Sequence, residues 1–126
     1  MNGANSNDTS HLGSRVTVRT FLNAMHTFRD LSPTMPVGEV LIFLTVSLNE
    51  GASLTELAEL ADMKKSTASR YLLDLSDKTR RGEKGYGLLS REQDPQELRR
   101  NMYSLTAKGR KVIAQLSSVL PPVREV

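Results

Sequence analysis

The chain has 126 residues, no cysteine and a formal net charge of +3. That length suits one domain able to bury a core without staples, and the missing cysteines exclude a disulfide framework, a thiol nucleophile and a cysteine zinc site together. The N-terminal residues lack the basic start and apolar run of a secretory signal. The longest unbroken apolar run, Val40–Leu44, falls far short of the roughly 20 residues a membrane crossing takes, so a cytoplasmic protein with no membrane partner is expected.

Residues 1–13 are rich in Asn, Ser and Gly and read as a flexible arm. From Ser14 to Arg29, Val18, Phe21, Leu22, Met25 and Phe28 recur at helical spacing. Ser32-Pro33 and Met35-Pro36 interrupt the chain, because a residue before proline is pushed away from helical angles. A second helix follows, with Val37, Val40, Leu41, Leu44 and Leu48 on its predicted inner face and Pro36 suited to its first turn. Asn49-Glu50-Gly51 ends it.

Ser53-Leu54-Thr55-Glu56 has the form of a capping box, in which two side chains satisfy the free N–H groups of a helix start. Behind it Leu54, Leu57, Ala58 and Ala61 form one short apolar stripe. Asp62-Met63-Lys64 interrupts, and a longer helix is predicted from Lys65 to Lys78 with Ala68, Tyr71, Leu72 and Leu75 inward. A short helix, a tight turn and a longer helix make a helix-turn-helix. Thr79–Gly85 is polar and reads as a loop. Tyr86–Arg91 and Arg99–Leu105 read as strands about an Asp94-Pro95-Gln96-Glu97 turn, which makes a wing. Thr106 caps a last helix bearing Val112, Ile113, Leu116 and Leu120, and Pro121-Pro122 stops it ahead of a tail at 121–126. The fold class expected is mainly α with a small β wing (α+β), a winged helix-turn-helix in the order α-α-(β)-α-α-β-β-α over residues 14–120.

Charge follows this division. From Lys64 to Lys111 there are 13 Lys/Arg against 6 Asp/Glu, and the remainder has 4 against 8. A basic half joined to an acidic one points to a face for a polyanion, as against chance clustering on a solvated surface. The outer face of the longer helix carries Lys65, Ser66, Ser69 and Arg70 toward its N-terminus, with Asp74 and Asp77 further on. Arg holds guanine through two hydrogen bonds, Ser and Thr bond several base edges, and a recognition helix reads bases with its N-terminal residues. Lys65, Ser66, Ser69 and Arg70 are therefore the candidates for the major groove, with Lys64 and Thr67 nearer the phosphates. The bland reading of that face is an ordinary solvated helix. Arg99 and Arg100 adjoin the wing tip and alternate between its faces, so one of them can enter a minor groove. Arg91 lies on the partner strand, and Lys78, Arg80, Arg81 and Lys84 form a basic loop. The partner expected is double-stranded DNA.

Leu54-Thr55-Glu56-Leu57-Ala58, Ser66-Thr67-Ala68-Ser69-Arg70, and Asp94 to Arg99 leading into Leu105-Thr106-Ala107-Lys108-Gly109-Arg110 resemble the MarR (multiple antibiotic resistance regulator) family across residues 14–120. The resemblance implies a prokaryotic transcriptional regulator, a homodimer, and room for a small-molecule effector that no sequence feature marks. It implies that Glu97 and Arg99 take the places of an Asp-x-Arg pair that holds the wing tip, with Arg99 in the minor groove; Glu for Asp is a departure, since its carboxylate reaches further. Two further departures are the long stretch Lys78–Tyr86, which predicts an offset or more mobile wing, and room for one helix after the wing where the family has two. Phe21, Met25, Phe28, Ile113, Leu116 and Val119 are the candidate dimer residues, each equally suited to the core. A dimer would read a pseudo-palindrome with half-sites about one helical turn apart.

An enzyme is not expected. His11 and His26 have no cysteine or carboxylate cluster beside them to make a metal site, no Ser, His and Asp arrangement suggests a nucleophile, and Gly82, Gly85 and Gly87 lack the setting of a phosphate cradle. No cofactor is expected. The alternatives are a winged helix used for protein contact, which gives no reason for a basic recognition helix and wing together, and a DNA-binding module for plasmid or phage replication or packaging.

Overall fold

The computed structural model describes residues 8–76 and 84–120. Their order is α1 (Asp8–Leu31), α2 (Val37–Leu48), β1 (Ala52–Ser53), α3 (Leu54–Leu60), α4 (Lys65–Leu75), β2 (Leu89–Gln93), β3 (Asn101–Leu105) and α5 (Ala107–Val119). The element order expected from the sequence is the one observed. The strands form an antiparallel sheet in the order β1-β3-β2, with Ala52 opposite Tyr103 and Leu89 opposite Leu105. The sheet closes one side of a core built from α2, α3 and α4, and α5 crosses back to pack on α1.

Three local devices set the geometry of the helix pair. The capping box forms as the sequence requires: the Glu56 N–H donates to Ser53 Oγ at 3.3 Å and the Ser53 N–H donates to Glu56 Oε1 at 3.0 Å. Helix α3 ends in a left-handed residue, Asp62, at φ 53°, a conformation Asp tolerates better than most side chains. There the Asp62 N–H donates to the Glu59 carbonyl at 3.1 Å and the Met63 N–H to that of Ala58 at 3.0 Å. This doubly bonded stop satisfies the orphan carbonyls of α3 and turns the chain sharply into α4. At the far end of α4, the N–H groups of Tyr86, Gly87 and Leu88 donate to the carbonyls of Asp74, Ser76 and Leu75 at 3.0, 2.9 and 2.8 Å. The root of the wing is therefore pinned to the end of α4. Residues 77–83 lie outside the described residues, as do 1–7 and the tail at 121–126.

The core holds Ile42, Phe43, Val46, Leu57, Ala68, Leu72, Leu75, Leu88 and Leu89, all without exposed surface. Phe28 of α1 meets Phe43 edge-on with ring centroids 6.1 Å apart, a favoured aromatic geometry. Gly109 permits the closest approach of α5, since a Cβ there would stand 2.3 Å from the Leu88 carbonyl oxygen. Thr106 ties the same corner: its hydroxyl donates to the Gly87 carbonyl at 2.6 Å and accepts from the Gly109 N–H at 3.0 Å.

Four expectations are corrected. Helix α1 begins at Asp8 rather than Ser14, so the proposed arm loses residues 8–13. Its predicted apolar stripe is buried only at its end: Ala24 and Phe28 are inside, whereas Val18, Phe21 and Leu22 are exposed, because α5 covers one part of so long a helix. In α2 the inner face is Glu39, Val40, Ile42, Phe43 and Val46, while Val37, Leu41 and Leu48 face outward. That helix is apolar on nearly every side, so helical spacing by itself fits either face, and packing against α3, α4 and β3 selects one. Finally, β2 starts later than predicted because the N–H groups of residues 86–88 bond to the end of α4, and β3 starts later because Arg100 belongs to the tip turn, its N–H donating to the Glu97 carbonyl.

Candidate nucleic-acid interface

Helix α4 divides cleanly. Ala68, Leu72 and Leu75 are buried, Tyr71 and Thr67 are half-buried, and Lys65, Ser66, Ser69 and Arg70 are exposed together with the N-cap residue Lys64. The division follows from the 3.6-residue repeat, which sets 68, 72 and 75 on one side and 66, 69 and 70 away from them; Lys65 shares the angular position of 68 and 72 and is exposed because it lies in the first turn. No acidic residue lies in the first turn, and no side chain caps it. Its first N–H groups and two lysines therefore stand together, an arrangement that favours an anion such as phosphate. Arg70 lies with its guanidinium carbon 5.5 Å from the centre of the Tyr71 ring, and the edge of that ring lies against Gly38 of α2, where a Cβ would stand only 2.7 Å from it.

The wing treats its cations differently. Its tip is a compact turn. The Asp94 N–H donates to the Arg100 carbonyl at 2.8 Å, the Arg100 N–H to the Glu97 carbonyl at 2.9 Å, and the Gln96 N–H to Asp94 Oδ1 at 2.9 Å. Arg100 folds back across the molecule. Its guanidinium donates to Glu56 Oε1 and lies 3.7 Å from Asp94 Oδ2. Glu56 thus serves both the capping box of α3 and the wing, and the Ser53 N–H, more than Arg100, holds its carboxyl below the usual range. Arg99, in the tip turn, is exposed. Among the described residues Glu97 and Arg99 form no ion pair, so the tip is held by Asp94 and Arg100 with Glu56; the pairing suggested by resemblance is corrected, because the turn ahead of β3 carries residue 100, and not 99, to Glu56 at the start of α3. Arg91 is exposed and sits opposite Tyr103 on the ladder, whose phenol is pushed up by burial and drawn partly back by Arg91. In the basic loop, Lys84 is exposed, and Lys78, Arg80 and Arg81 lie outside the described residues.

Three side chains escaped the sequence reading. Glu50 accepts the Leu105 N–H at 2.9 Å and binds Arg110 at 3.0 Å, tying the end of α2 to β3 and α5. Asp94 was read only as a turn former. Glu39, on the inner face of α2, is 2% exposed, and burial first, then Asp74, raises its pKa to about 7. A lone carboxyl immediately before the longest apolar run of the chain was the signal for it. A cavity of about 300 Å³ between α1 and α2 is lined by Leu22, Met25, Phe28 and Val40 with His26 and Arg29. No helix among the described residues is long and apolar enough to cross a membrane, and no cluster there could hold a metal ion.

A two-helix unit with an outward basic helix and a hairpin beside it defines a winged helix-turn-helix. Residues 42–78 match the IclR helix-turn-helix domain. No sequence match was found among curated proteins. Among solved structures, the chain resembles a MarR-family transcriptional regulator from Silicibacter pomeroyi at 25% identity, covering 89% of this chain and 68% of that one with a TM-score of 0.57. It resembles a mutant of S. aureus MepR bound to an oligodeoxyribonucleotide at 20% identity, covering 88% and 75% with a TM-score of 0.65. A transcriptional regulator from Thermotoga maritima is similar at 19% identity, covering 90% and 72% with a TM-score of 0.66. The chain therefore carries a helix-turn-helix domain within a MarR-type winged-helix fold.

Proposed function

We propose that this protein is a transcriptional regulator that binds double-stranded DNA as a homodimer. The observation that carries the reading is the outer face of α4, where Lys64, Lys65, Ser66, Ser69 and Arg70 stand exposed at the N-terminal end with no acid in the first turn. In this reading Arg70, Ser66, Ser69 and Lys65 meet base edges in the major groove, and Lys64 and Thr67 meet phosphates. Arg99 is the wing residue offered to the minor groove, and Arg91 stands behind it. Arg100 leaves the contact set, since its guanidinium is engaged inside the protein. That a MepR mutant of the same fold is bound to an oligodeoxyribonucleotide supports DNA as the partner.

For the homodimer the support is the apolar surface of α1. Phe21 is 63% exposed, and Val16, Val18 and Leu22 are comparably open, a group of apolar side chains of the kind that marks contact surfaces. Phe28 and Leu116 drop out of the candidate interface because both are buried in the core; Met25, Ile113 and Val119 are half-buried. We place an effector, of small organic type, in the cavity between α1 and α2, which lies at the lower end of the size range of ligand pockets.

The test is capture of fragments from the source genome by purified protein, followed by affinity for the best fragment against random DNA over a salt series. Preference by about 10³-fold or more is expected of specific binding, and Arg70→Ala should remove most of it. Equal binding to all DNA, unchanged in Arg70→Ala, would sink the assignment of α4 and turn attention to protein contact.

A further inference from the structure

The wing ends in two consecutive β-turns. The Glu97 N–H donates to the Asp94 carbonyl at 3.2 Å, and the Arg100 N–H donates to the Glu97 carbonyl at 2.9 Å, in each case the closure that defines a hydrogen-bonded β-turn. Asp94 Oδ1 accepts the Gln96 N–H at 2.9 Å, and the Asp94 N–H closes the whole tip on the Arg100 carbonyl at 2.8 Å. Pro95 and Gln96 are the central pair of the first turn, Leu98 and Arg99 of the second. Turns favour Gly, Pro, Asn, Asp and Ser, each for a backbone or hydrogen-bonding reason. Leucine offers the turn neither. Yet Leu98 is 70% exposed, and among the described residues of the wing it is the one large apolar side chain left open.

The setting of Leu98 is rigid and electrically balanced. Between residues 94 and 100, Asp94 and Glu97 stand against Arg99 and Arg100, so net charge gives the tip no pull toward phosphate. Arg100 is tied to Glu56 and lies 3.7 Å from Asp94, which fixes the second turn to the start of α3. An aliphatic side chain is thus held out beside the exposed Arg99. Apolar side chains enter the minor groove in many DNA-binding proteins.

We propose that Leu98 is a specificity-determining residue, which packs on the floor of the minor groove beside Arg99 and rejects G·C pairs there. The proposal rests on the DNA-binding reading and on the wing meeting the minor groove. The floor of that groove differs between pairs in one group: A·T and T·A present acceptors alone, whereas G·C adds the guanine amino group, a donor. The guanidinium of Arg99 can donate to the acceptors of an A·T pair, but neither Arg nor Leu has an acceptor for the amino group. Leu98 over a G·C pair would strip water from that group and leave it unpaired, which costs as any buried unmatched donor does. The two residues therefore divide the reading. Arg99 responds to the negative potential of a narrow A·T tract, a property of several neighbouring pairs, and Leu98 to an amino group at one pair. The double turn and the Arg100 brace matter because a mobile tip would slide off the amino group.

The experiment uses the full chain and the best captured duplex. The pairs under the wing are those whose hydroxyl-radical protection is lost in Arg99→Ala. At each of them A·T is replaced by G·C and then by inosine·C, which keeps the pairing of guanine without its amino group. The wild type should bind the G·C duplex about tenfold more weakly than the A·T one, and the inosine duplex within about twofold of it. Leu98→Met keeps an apolar tip and should keep the penalty. Leu98→Gln supplies an acceptor and Leu98→Ala withdraws the side chain, so in both the penalty should shrink to about twofold or less. Each ratio is taken between duplexes within one protein, so a general loss of stability cancels. A penalty that persists in Leu98→Gln and Leu98→Ala, or that inosine does not relieve, overturns the proposal and leaves the DNA-binding reading intact. Protection unchanged in Arg99→Ala does the same, as does a captured duplex that already holds G·C under the wing. If the wild type captures no duplex, the DNA-binding reading fails and the proposal with it, and Leu98 becomes a candidate contact for protein.

Discussion

On α4 the side chains of Ala68, Leu72 and Leu75 have no exposed surface, Arg70 stands on the opposite side, and Lys64 and Lys65 are exposed at the N-terminal end. On the wing, two five-residue strands have only Leu89, Tyr103 and Leu105 buried, and one of the two arginines at the tip is drawn back onto Glu56 and Asp94. A helix with a full apolar face is held by burial, so its polar face is free for another molecule. A hairpin is only marginally stable without support, and this one takes part of its support from a cation that the sequence alone would offer to DNA. Like residue types in two basic regions thus have different duties, decided by how each region is anchored.

Substitutions can break this contrast in order of size. Leu72→Ala should cost about 2–5 kcal/mol of folding stability, read from denaturant unfolding; a loss below about 1 kcal/mol would mean that burial on α4 is not what frees its outer face. Arg70→Ala should leave stability nearly unchanged and remove about 1–3 kcal/mol of base discrimination, read as the ratio of affinities for the captured fragment and for a fragment altered at one position. For Arg99→Ala the expected loss is larger on fragments whose minor groove at the wing is A·T-rich and narrow than on G·C-rich ones, with the salt slope reduced by about one; an unchanged slope and an unchanged ratio would place Arg99 away from the duplex. Arg100→Ala should leave the salt slope as it is and speed amide exchange in residues 94–101, because it removes the brace rather than a DNA contact.

The smallest effect concerns acid. Accepting the Ser53 N–H, and then Arg100, lowers the pKa of the Glu56 carboxyl from its ordinary 4.5. A lowered carboxylate contributes stability that is present above the ordinary value and is lost as pH falls through the folded one. Protection of the wing amides should therefore persist as pH drops past about 4.5 and fade only below it. Fading that begins well above that value would show the brace to be held by something other than Glu56.

Most of the helix-turn-helix was legible because its signals are local. The capping box at Ser53 and Glu56, the stripe of Leu57 and Ala58, and the stripe of Ala68, Leu72 and Leu75 each need only neighbours within two turns to form. The outer face of α4 followed from the same repeat. Helix α2 shows where that logic fails. Apolar side chains surround it, so periodicity could not choose between the face of Leu41 and Leu48 and the face of Ile42 and Phe43. The wing shows a second kind of failure: the partner of Arg100 is Glu56, 44 positions away, a separation at which spacing carries no information.

By itself, the sequence determined the order of elements, the turn at Asp62, the caps at Ser53 and Thr106, and the side of α4 that carries the basic residues. These depend on dihedral preferences and hydrogen bonds within a few residues, which are set before any distant contact forms. Only the tertiary structure decided which face of α2 is buried, that Arg100 is a brace while Arg99 is exposed, and that Glu39 lies inside the core. Each of those outcomes requires two segments remote in the chain to be brought together, and burial then fixes which charges keep water and which must find a partner.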